Sequence, residues 1–188
     1  GASMSEFIEK YPWLKSYSLF EDGTWGEYDI MDDMPEGWRI AFGDLLCEEL
    51  DSVLMDSGLV EDFSVYQIKE KFGKLCMYVS HYTQEINDIL DKYSAISKNV
   101  CIMCGRPDVG IVRTETWISP YCEDCFYDRP FSYLNIYEDM KYAGDGNIRN
   151  NITVTRKDGN EYYAHKIHLK DTADKIRARW AEREIGRS

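Results

Sequence analysis

Four cysteines in two Cys-x-x-Cys pairs are the residues of this sequence whose type and spacing most clearly indicate chemistry. Cys101 and Cys104 form the first pair, and Cys122 and Cys125 form the second after seventeen intervening residues. Two residues between cysteines let the chain turn so that both sulfurs point inward, and two such pairs supply four thiolates to one tetrahedral zinc ion. Gly105, directly after the first pair, suits the positive φ that such a turn often needs. We therefore predict a zinc site on these four cysteines.

Four thiolates fill the coordination sphere of zinc and leave no position for a water or a substrate. The predicted zinc is therefore structural, and no catalytic residue is predicted. The alternative is two disulfides or four free thiols. It is less favoured because a Cys-x-x-Cys disulfide is more often a redox device than a staple, and because no secretion signal follows Met4. Cys47 and Cys76 lie in apolar stretches and are interpreted as small buried hydrophobic side chains.

The elements that must position these cysteines follow from hydrophobic periodicity. Apolar residues at three- and four-residue steps predict helices over residues 5–18 (stopping or kinking at Pro12), 35–57 (ending at Gly58), 84–97 and 171–184 (capped by Asp171). Residues 20–34 are expected to be a loop with a short extended piece. Strand-forming residues predict hairpins that turn at Phe72-Gly73 and at Asp158-Gly159, and a strand or small hairpin over residues 110–118.

These elements predict a small α+β domain of helices and hairpins with an integrated four-cysteine zinc module. A knuckle, a hairpin and a second pair at a helix start describe a treble-clef-like module, and a plain zinc ribbon is the alternative. Composition divides the chain into a cloning scar (1–3), an acidic α+β region (4–99), the zinc module (100–127) and a carboxy-terminal hairpin and helix (128–188). No leader and no bilayer-length apolar run is present, so we expect an intracellular protein with no membrane partner.

The net charge of −12 is distributed unevenly along the 188 residues. Residues 1–99 carry twenty acidic and eight basic side chains, whereas residues 100–188 carry fourteen of each. Within residues 21–62, fourteen acidic side chains accompany Arg39 as the only basic one. Charge of one sign at this density opposes compaction and exceeds what solubility needs, although many soluble proteins are acidic. It disfavours nucleic-acid binding by the amino-terminal half.

The sequence contains PEGWRIAFG (35–43), then QIKEKFGKL (67–75) and then the two cysteine pairs. In this order, the three stretches resemble an uncharacterised family of small bacterial and bacteriophage proteins. The family typically shows a GW-x-x-x-FG segment, a Q-[IV]-KEK[FY]G-x-LR hairpin and a C-x-x-CG…WxxxxC-x-x-C module. The resemblance covers roughly residues 35–125, and Cys76 stands where the family usually has Arg, so any ligand contact of that Arg is absent here. It implies a metal-containing protein of phage or prophage origin in the cytoplasm of a bacterial host cell, and it implies no activity.

Other candidate residues carry weaker signals. Lys69, Lys71 and Lys74 around the Phe72-Gly73 turn could hold a phosphate or an acidic partner, although such residues more often form a solvated turn. The three histidines (His81, His165 and His168) lie outside the zinc module. His165 and His168 could each pair with a carboxylate, but a lone surface side chain is the favoured interpretation. No Gly-rich phosphate loop, Gly-x-Ser-x-Gly or His-Glu-x-x-His motif is present.

Three function classes stay open. The favoured one is a protein-binding module whose acidic surface, with Asp44, Glu48 and Asp51 on the outward side of the 35–57 helix, docks on a positively charged host protein. In a phage setting it would be an inhibitor of a host defence or DNA-handling protein. The second is a nucleic-acid binder that uses the zinc module, the aromatic residues Tyr133 and Tyr137, and a basic tail: Arg156, Lys157, Lys166, Lys170, Lys175, Arg177, Arg179, Arg183 and Arg187. The third is an enzyme of unrecognised type.

Overall fold

A computed structural model of the chain describes residues 4–113, 118–128, 141–143, 146–158 and 161–187. The proposed cloning scar, Tyr133, Tyr137 and the turn at residues 159–160 lie outside the described residues. The described elements are helices and short antiparallel hairpins, which confirms the predicted α+β class. None of the described helices is both long and apolar enough to cross a membrane.

The amino terminus forms a helix followed by a two-stranded ribbon. Helix α1 (Met4–Lys10) ends before Pro12, as predicted, and a 3-10 turn follows at Pro12–Leu14. Residues 15–18 do not continue the helix, because strand β1 (Lys15–Leu19) begins there and pairs with β2 (Trp25–Asp29). Strand β2 is the extended piece expected in residues 20–34, and a second 3-10 turn, Ile30–Asp33, leads to the long helical segment.

That helical segment runs from residue 36 to residue 57 in three parts. Helix α2 (Glu36–Trp38) passes into a π-helical turn (Arg39–Gly43) and then into α3 (Asp44–Ser57). The segment ends where predicted, because Gly58 adopts φ +70° and its N–H bonds to carbonyls of the last turn.

A hairpin and a second helix then lead into the metal module. Strands β3 (Val65–Lys71) and β4 (Lys74–Val79) pair antiparallel around the predicted Phe72-Gly73 turn. Helix α4 spans Gln84–Ser97 as predicted, and the Thr83 hydroxyl accepts the N–H of Ile86 at its start. Three residues separate the end of α4 from Cys101.

The remaining elements follow the first cysteine pair in the chain. Strands β5 (Ile111–Arg113), β6 (Ile118–Pro120) and β7 (Lys141–Ala143) form a sheet of order β6-β5-β7, and α5 (Glu123–Asp128) follows β6. Strands β8 (Asn151–Asp158) and β9 (Glu161–His168) form the predicted hairpin, and α6 spans Lys170–Ile185. Asp171 does not cap α6, because the N-cap position falls on Leu169 and no side chain bonds there.

The core joins the two ends of the chain. The largest described cluster of buried apolar residues includes Trp38 and Leu46 from the long helical segment and Tyr93 from α4. Leu169 and Ile176 from the carboxy-terminal part belong to the same cluster. The last hairpin and helix therefore pack on the body of the protein, which brings α6 next to the cysteines.

Candidate metal centre

The four predicted cysteines come together in one cluster. The sulfurs of Cys101, Cys104, Cys122 and Cys125 all lie within 4.8 Å of one another, and the Sγ atoms of Cys104 and Cys122 are 3.7 Å apart. Cys101 and Cys122 are buried, and the other two are half-buried. Among the described residues this is the one group of three or more His, Cys, Asp or Glu side chains close enough to hold a metal ion. The residues therefore fit a metal bound by four thiolates.

The first pair lies on a tight knuckle that the backbone closes on both sides. Val100 pairs with Pro107 in an isolated antiparallel bridge, and the N–H of Cys101 donates to the carbonyl of Arg106 at 2.8 Å. The N–H of Gly105 donates to the carbonyl of Cys101 at 3.0 Å, and Gly105 has φ +86°. This left-handed conformation confirms the role predicted for Gly105, since other residues adopt it only with strain.

The second pair lies at the start of α5. The N–H of Cys125 points to the Sγ of Cys122 at 3.4 Å, and the N–H of Phe126 donates to the Cys122 carbonyl at 3.0 Å. Free N–H groups at a helix start stabilise negative charge, so this position favours thiolates. A knuckle, two short strands and a pair at a helix start form the treble-clef arrangement, rather than the ribbon.

The electrostatics of the cluster call for a cation. Hydrogen bonds from Cys104 and Cys122 lower the pKa of the Cys101 thiol, whereas the contacts with Cys101 and Cys122 raise the pKa of Cys104. Burial and the negative charge of Cys101 raise the pKa of Cys125. Four sulfurs this close cannot all ionise unless a positive charge lies between them, and a thiolate-bound metal supplies that charge. A metal ion bound by four thiolates stabilises the fold. It has no open coordination position at which it could activate a water.

The long helical segment docks directly on the knuckle. The N–H of Gly37 donates to the carbonyl of Ile102 at 2.9 Å, and the indole N–H of Trp38 donates to the carbonyl of Val100 at 2.9 Å in a buried position. Sequence reasoning predicted Trp38 to lie on the buried face of the 35–57 helix, and it used Gly37 only as part of a family resemblance. Their position against the metal knuckle was not predicted, because the partners are separated by more than sixty residues.

The carboxy-terminal helix α6 also contacts the knuckle. The guanidinium of Arg183 donates to the carbonyl of Cys104 at 2.9 Å and lies over the Trp180 ring, which Arg106 also approaches. Trp180 therefore lies in contact with two guanidinium groups, one from α6 and one from the knuckle. These contacts attach α6 to Cys104, one of the four clustered cysteines, and to Arg106.

A second attachment uses the strained residue Asp108. Asp108 has φ +57°, and its carboxylate accepts from the Nε and Nη2 atoms of Arg177 at 2.7 and 2.9 Å and from the N–H of Ile148 at 2.9 Å. Burial would raise the pKa of Asp108, but the bonds from Arg177 and Ile148 outweigh it and lower that pKa below its ordinary value. The pair connects α6 to the end of the knuckle.

The three acidic residues predicted to bind a partner have different surroundings. Asp44 is exposed but forms a bidentate ion pair with Arg179, at 2.6 and 3.0 Å. Asp51 is half-buried and accepts the indole N–H of Trp13 at 3.0 Å, whereas Glu48 is exposed. Asp44 and Asp51 therefore take part in contacts within the chain.

The three predicted lysines lie on the β3–β4 hairpin. Lys69 lies over the ring of Tyr78 at 5.5 Å, and Lys71 pairs across the ladder with Lys74. Lys71 and Lys74 are exposed at the turn, remote in the chain from Asp44 and Glu48, so the two predicted sets lie on different elements. Phe72 takes φ +53° in this turn.

Two of the open alternatives change with the structure. His165 is not a lone surface side chain, because its Nε2 lies 2.9 Å from Oδ1 of Asp88, a carboxylate that Arg156 also contacts.

Several basic residues expected to bind nucleic acid form contacts within the chain. They are Arg156 with Asp88 and Asp91, Lys170 with Asp174, Arg177 with Asp108, Arg179 with Asp44, Arg183 with Cys104 and Trp180, and Arg187 with Glu184.

Comparison with known proteins does not extend this description. No family model, no curated protein and no solved structure matches the chain.

Proposed function

We propose that this chain is a non-enzymatic, zinc-stabilised protein that binds a positively charged protein through its acidic surface. The acidic surface is the set of exposed carboxylates within residues 21–62. The observation that carries the proposal is that ten of the fourteen acidic residues in this stretch are exposed: Glu21, Asp22, Glu27, Asp33, Glu36, Asp44, Glu48, Asp56, Glu61 and Asp62. Such a surface accelerates encounter with a partner of opposite charge and repels nucleic acid.

The distribution of the basic residues supports the same proposal. Arg156, Arg177 and Arg179 form ion pairs with carboxylates of the same chain, so their charge is compensated where a phosphate backbone would have to bind. Binding of nucleic acid by the tail would compete with these contacts, whereas binding of a basic protein by the acidic surface leaves most of them intact.

The metal proposed for the cluster is zinc, because soft thiolate ligands in a four-sulfur set are typical of structural zinc sites. Its role is to hold the knuckle against α2 and α6. This contact fixes the shape of the region that carries the acidic surface. A rigid surface loses less conformational entropy on binding than a flexible one. A metal-stabilised fold is therefore well suited to binding a partner.

The class of partner follows from charge and from the family resemblance. A protein that handles DNA presents a positive surface to the phosphate backbone, and a dense set of carboxylates imitates that charge. With a phage or prophage origin, the partner would be a defence or DNA-handling protein of the bacterial host, and the complex would form in the host cytoplasm.

The proposal is tested by capture from a host lysate followed by kinetics with the purified partner. Glu48→Gln, Asp56→Asn and Glu61→Gln together remove three exposed charges from the acidic surface. We expect this triple variant to associate roughly tenfold more slowly at low salt, with the difference shrinking as salt increases.

The matched control removes three exposed charges outside residues 21–62: Glu85→Gln, Glu161→Gln and Glu182→Gln. Both triple variants change the net charge equally, so only a localised surface distinguishes them. Equal association rates for the two variants would mean that net charge alone, and not a localised acidic surface, speeds association. Tight binding of the wild type to duplex DNA would contradict the proposal directly.

A further inference from the structure

The β1–β2 ribbon carries several large apolar side chains on its surface, next to acidic residues. In its ladder Leu19 lies opposite Trp25 and Tyr17 lies opposite Glu27, and no other described strand pairs with either edge. The tight turn at the ribbon's tip closes with the N–H of Phe20 donating to the carbonyl of Thr24 at 2.8 Å, and Gly23 takes φ +83° there. The ribbon therefore holds its side chains in a defined register.

One face of the ribbon is apolar and exposed. Trp25 is 71% exposed, Tyr17 62% and Leu19 56%. Alternate residues of a strand point to the same face, so Tyr17 and Leu19 share it with their cross-strand neighbour Trp25. Phe20, 45% exposed, lies at the turn with its ring over Gly26, and Gly26 faces the opposite side of the ribbon from its neighbours Trp25 and Glu27. Large apolar side chains grouped on a surface mark an interaction site more often than single exposed ones do.

Carboxylates surround this apolar face. Glu21 and Asp22 form the turn beyond Phe20, and Glu27 lies opposite Tyr17; all three are exposed. The one basic residue of the ribbon, Lys15, lies 3.6 Å from the Glu27 carboxylate. Aromatic residues at the centre and charged residues at the rim are typical of protein-binding surfaces.

We infer that Tyr17, Leu19 and Trp25 form the apolar centre of the docking surface, and that they receive a basic protein segment that also carries apolar side chains. This inference rests on the proposed function, and it names the place where the partner binds. The carboxylates speed encounter, whereas burial of the apolar side chains slows dissociation. Trp and Tyr are the residue types that most often dominate such interfaces.

Charge selects a basic partner over a second copy of the chain. Two copies that docked face to face through this ribbon would bring Glu21, Asp22 and Glu27 of each close to those of the other. With a net charge of −12 on each chain, repulsion opposes that arrangement. A segment that carries Lys or Arg beside its apolar residues meets no such opposition.

Two synthetic peptides of equal length and equal positive charge serve as probes, one built of Lys and Leu and the other of Lys and Ser. We expect the full-length, metal-loaded protein to bind the Lys/Leu peptide at least tenfold more tightly. The double variant Leu19→Ser/Trp25→Ser should lose this preference while it keeps its affinity for the Lys/Ser peptide, and Tyr17→Ser should weaken the preference from the other end of the face.

The matched control is Met55→Ser, which removes an equally exposed apolar side chain elsewhere in the acidic region. It should keep the preference, and metal content and circular dichroism should show that all variants fold. If the double variant keeps the preference, or the wild type shows none, the inference is wrong although salt-dependent binding of both peptides would still support the acidic surface. If neither peptide binds, both proposals fail. A wild-type dimer that the double variant abolishes would assign the face to a second copy and overturn the inference.

Discussion

The N–H of Gly37 donates to the carbonyl of Ile102 at 2.9 Å, so the first turn of α2 is bonded directly to the metal knuckle. A Cβ atom on Gly37 would lie 2.2 Å from the carbonyl oxygen of Cys101, a separation that real Cβ atoms essentially never show. Gly105 approaches from the knuckle, where a Cβ would lie 2.8 Å from the carbonyl oxygen of Gly37. Because neither glycine has a side chain, the backbone of α2 can lie directly against the backbone of the knuckle. This contact couples the core of the amino-terminal region to the metal site.

Gly37→Ala is expected to destabilise the protein by about 3 kcal/mol or more, because the added methyl group meets fixed backbone rather than a mobile side chain. Gly186→Ala is the control, since a Cβ there meets nothing closer than 3.6 Å, and it should change stability by less than about 1 kcal/mol. Urea unfolding measures both. Equal unfolding midpoints for the two variants would mean that α2 does not rest on the knuckle as described.

Trp38→Phe should cost about 2–4 kcal/mol, because it leaves the buried carbonyl of Val100 without its donor and opens a void. Trp13→Phe is a matched control that removes an indole bond to the half-buried Asp51, whose carboxylate can turn to water. Its loss of stability should be smaller. Zinc release to a chelator should also become faster in Trp38→Phe and stay unchanged in Trp13→Phe. Identical release rates in the two variants would contradict a role of Trp38 in holding the knuckle.

One zinc ion per chain is expected on Cys101, Cys104, Cys122 and Cys125. Structural zinc contributes on the order of 10 kcal/mol of folding free energy in finger peptides, so Cys101→Ser should lose the metal and unfold at least residues 100–127. Cys76→Ser is the control, because Cys76 lies outside the cluster and should keep the metal. Elemental analysis and chelator titration measure this, and protein purified without chelator that holds no metal would refute the site.

Much of the fold could be predicted because its signals are local. Helix α4 spans the predicted residues, and the turns at Gly58 and Phe72-Gly73 lie where glycine indicated them. Strand β1 was missed because Tyr11, Leu14 and Tyr17 have helical spacing. Tyr11 and Leu14 belong to the core, whereas Tyr17 lies exposed on a strand. Spacing alone does not separate a helix from a 3-10 turn that is followed by a strand.

The metal ligands could be predicted from spacing, whereas their supports could not. Two cysteines with two residues between them form a local turn, which can be recognised from the sequence alone. The two pairs are also close in sequence, so they can be assigned to one metal site without knowledge of the fold. By contrast, Arg177 and Asp108 lie 69 residues apart, and Arg183 and Cys104 lie 79 apart. Nothing near Arg183 in sequence indicates a carbonyl partner. For the same reason, nothing in the sequence indicates that much of the basic tail forms ion pairs within the chain.

The ion pair of Asp108 with Arg177 predicts a pH dependence of stability. Because the folded pKa of Asp108 is lowered, the pair stabilises the protein above the unfolded pKa, near 3.8, and this contribution is lost as the pH falls through the folded pKa. Asp108→Asn keeps a residue that tolerates positive φ but removes the charge. At pH 7 it should be less stable by about 1–2 kcal/mol, allowing for partial exposure.

The difference between wild type and Asp108→Asn should shrink below about pH 4, as the wild-type carboxylate becomes protonated. Denaturant unfolding at several pH values measures it, with metal content followed at each pH so that only metal-loaded proteins are compared. A difference that stays constant down to pH 3 would show that the charge of Asp108 does not stabilise the fold.

The ion pair of Asp44 with Arg179 separates a structural role from a binding role within the acidic surface. The pair is partly exposed, so a double-mutant cycle of Asp44→Asn and Arg179→Gln should give a coupling energy of about 0.5–1 kcal/mol that decreases with salt. Arg179→Gln alone should cost more than Asp44→Asn, because Arg179 also donates to the carbonyls of Ile40 and Ala41 in the π-helical turn. A cycle of Glu48→Gln with Arg179→Gln is the control and should be additive within about 0.3 kcal/mol, since no bond joins this pair. If both cycles are additive, Asp44 contributes nothing to the packing of α6, and its charge is available to a partner as that of Glu48 is.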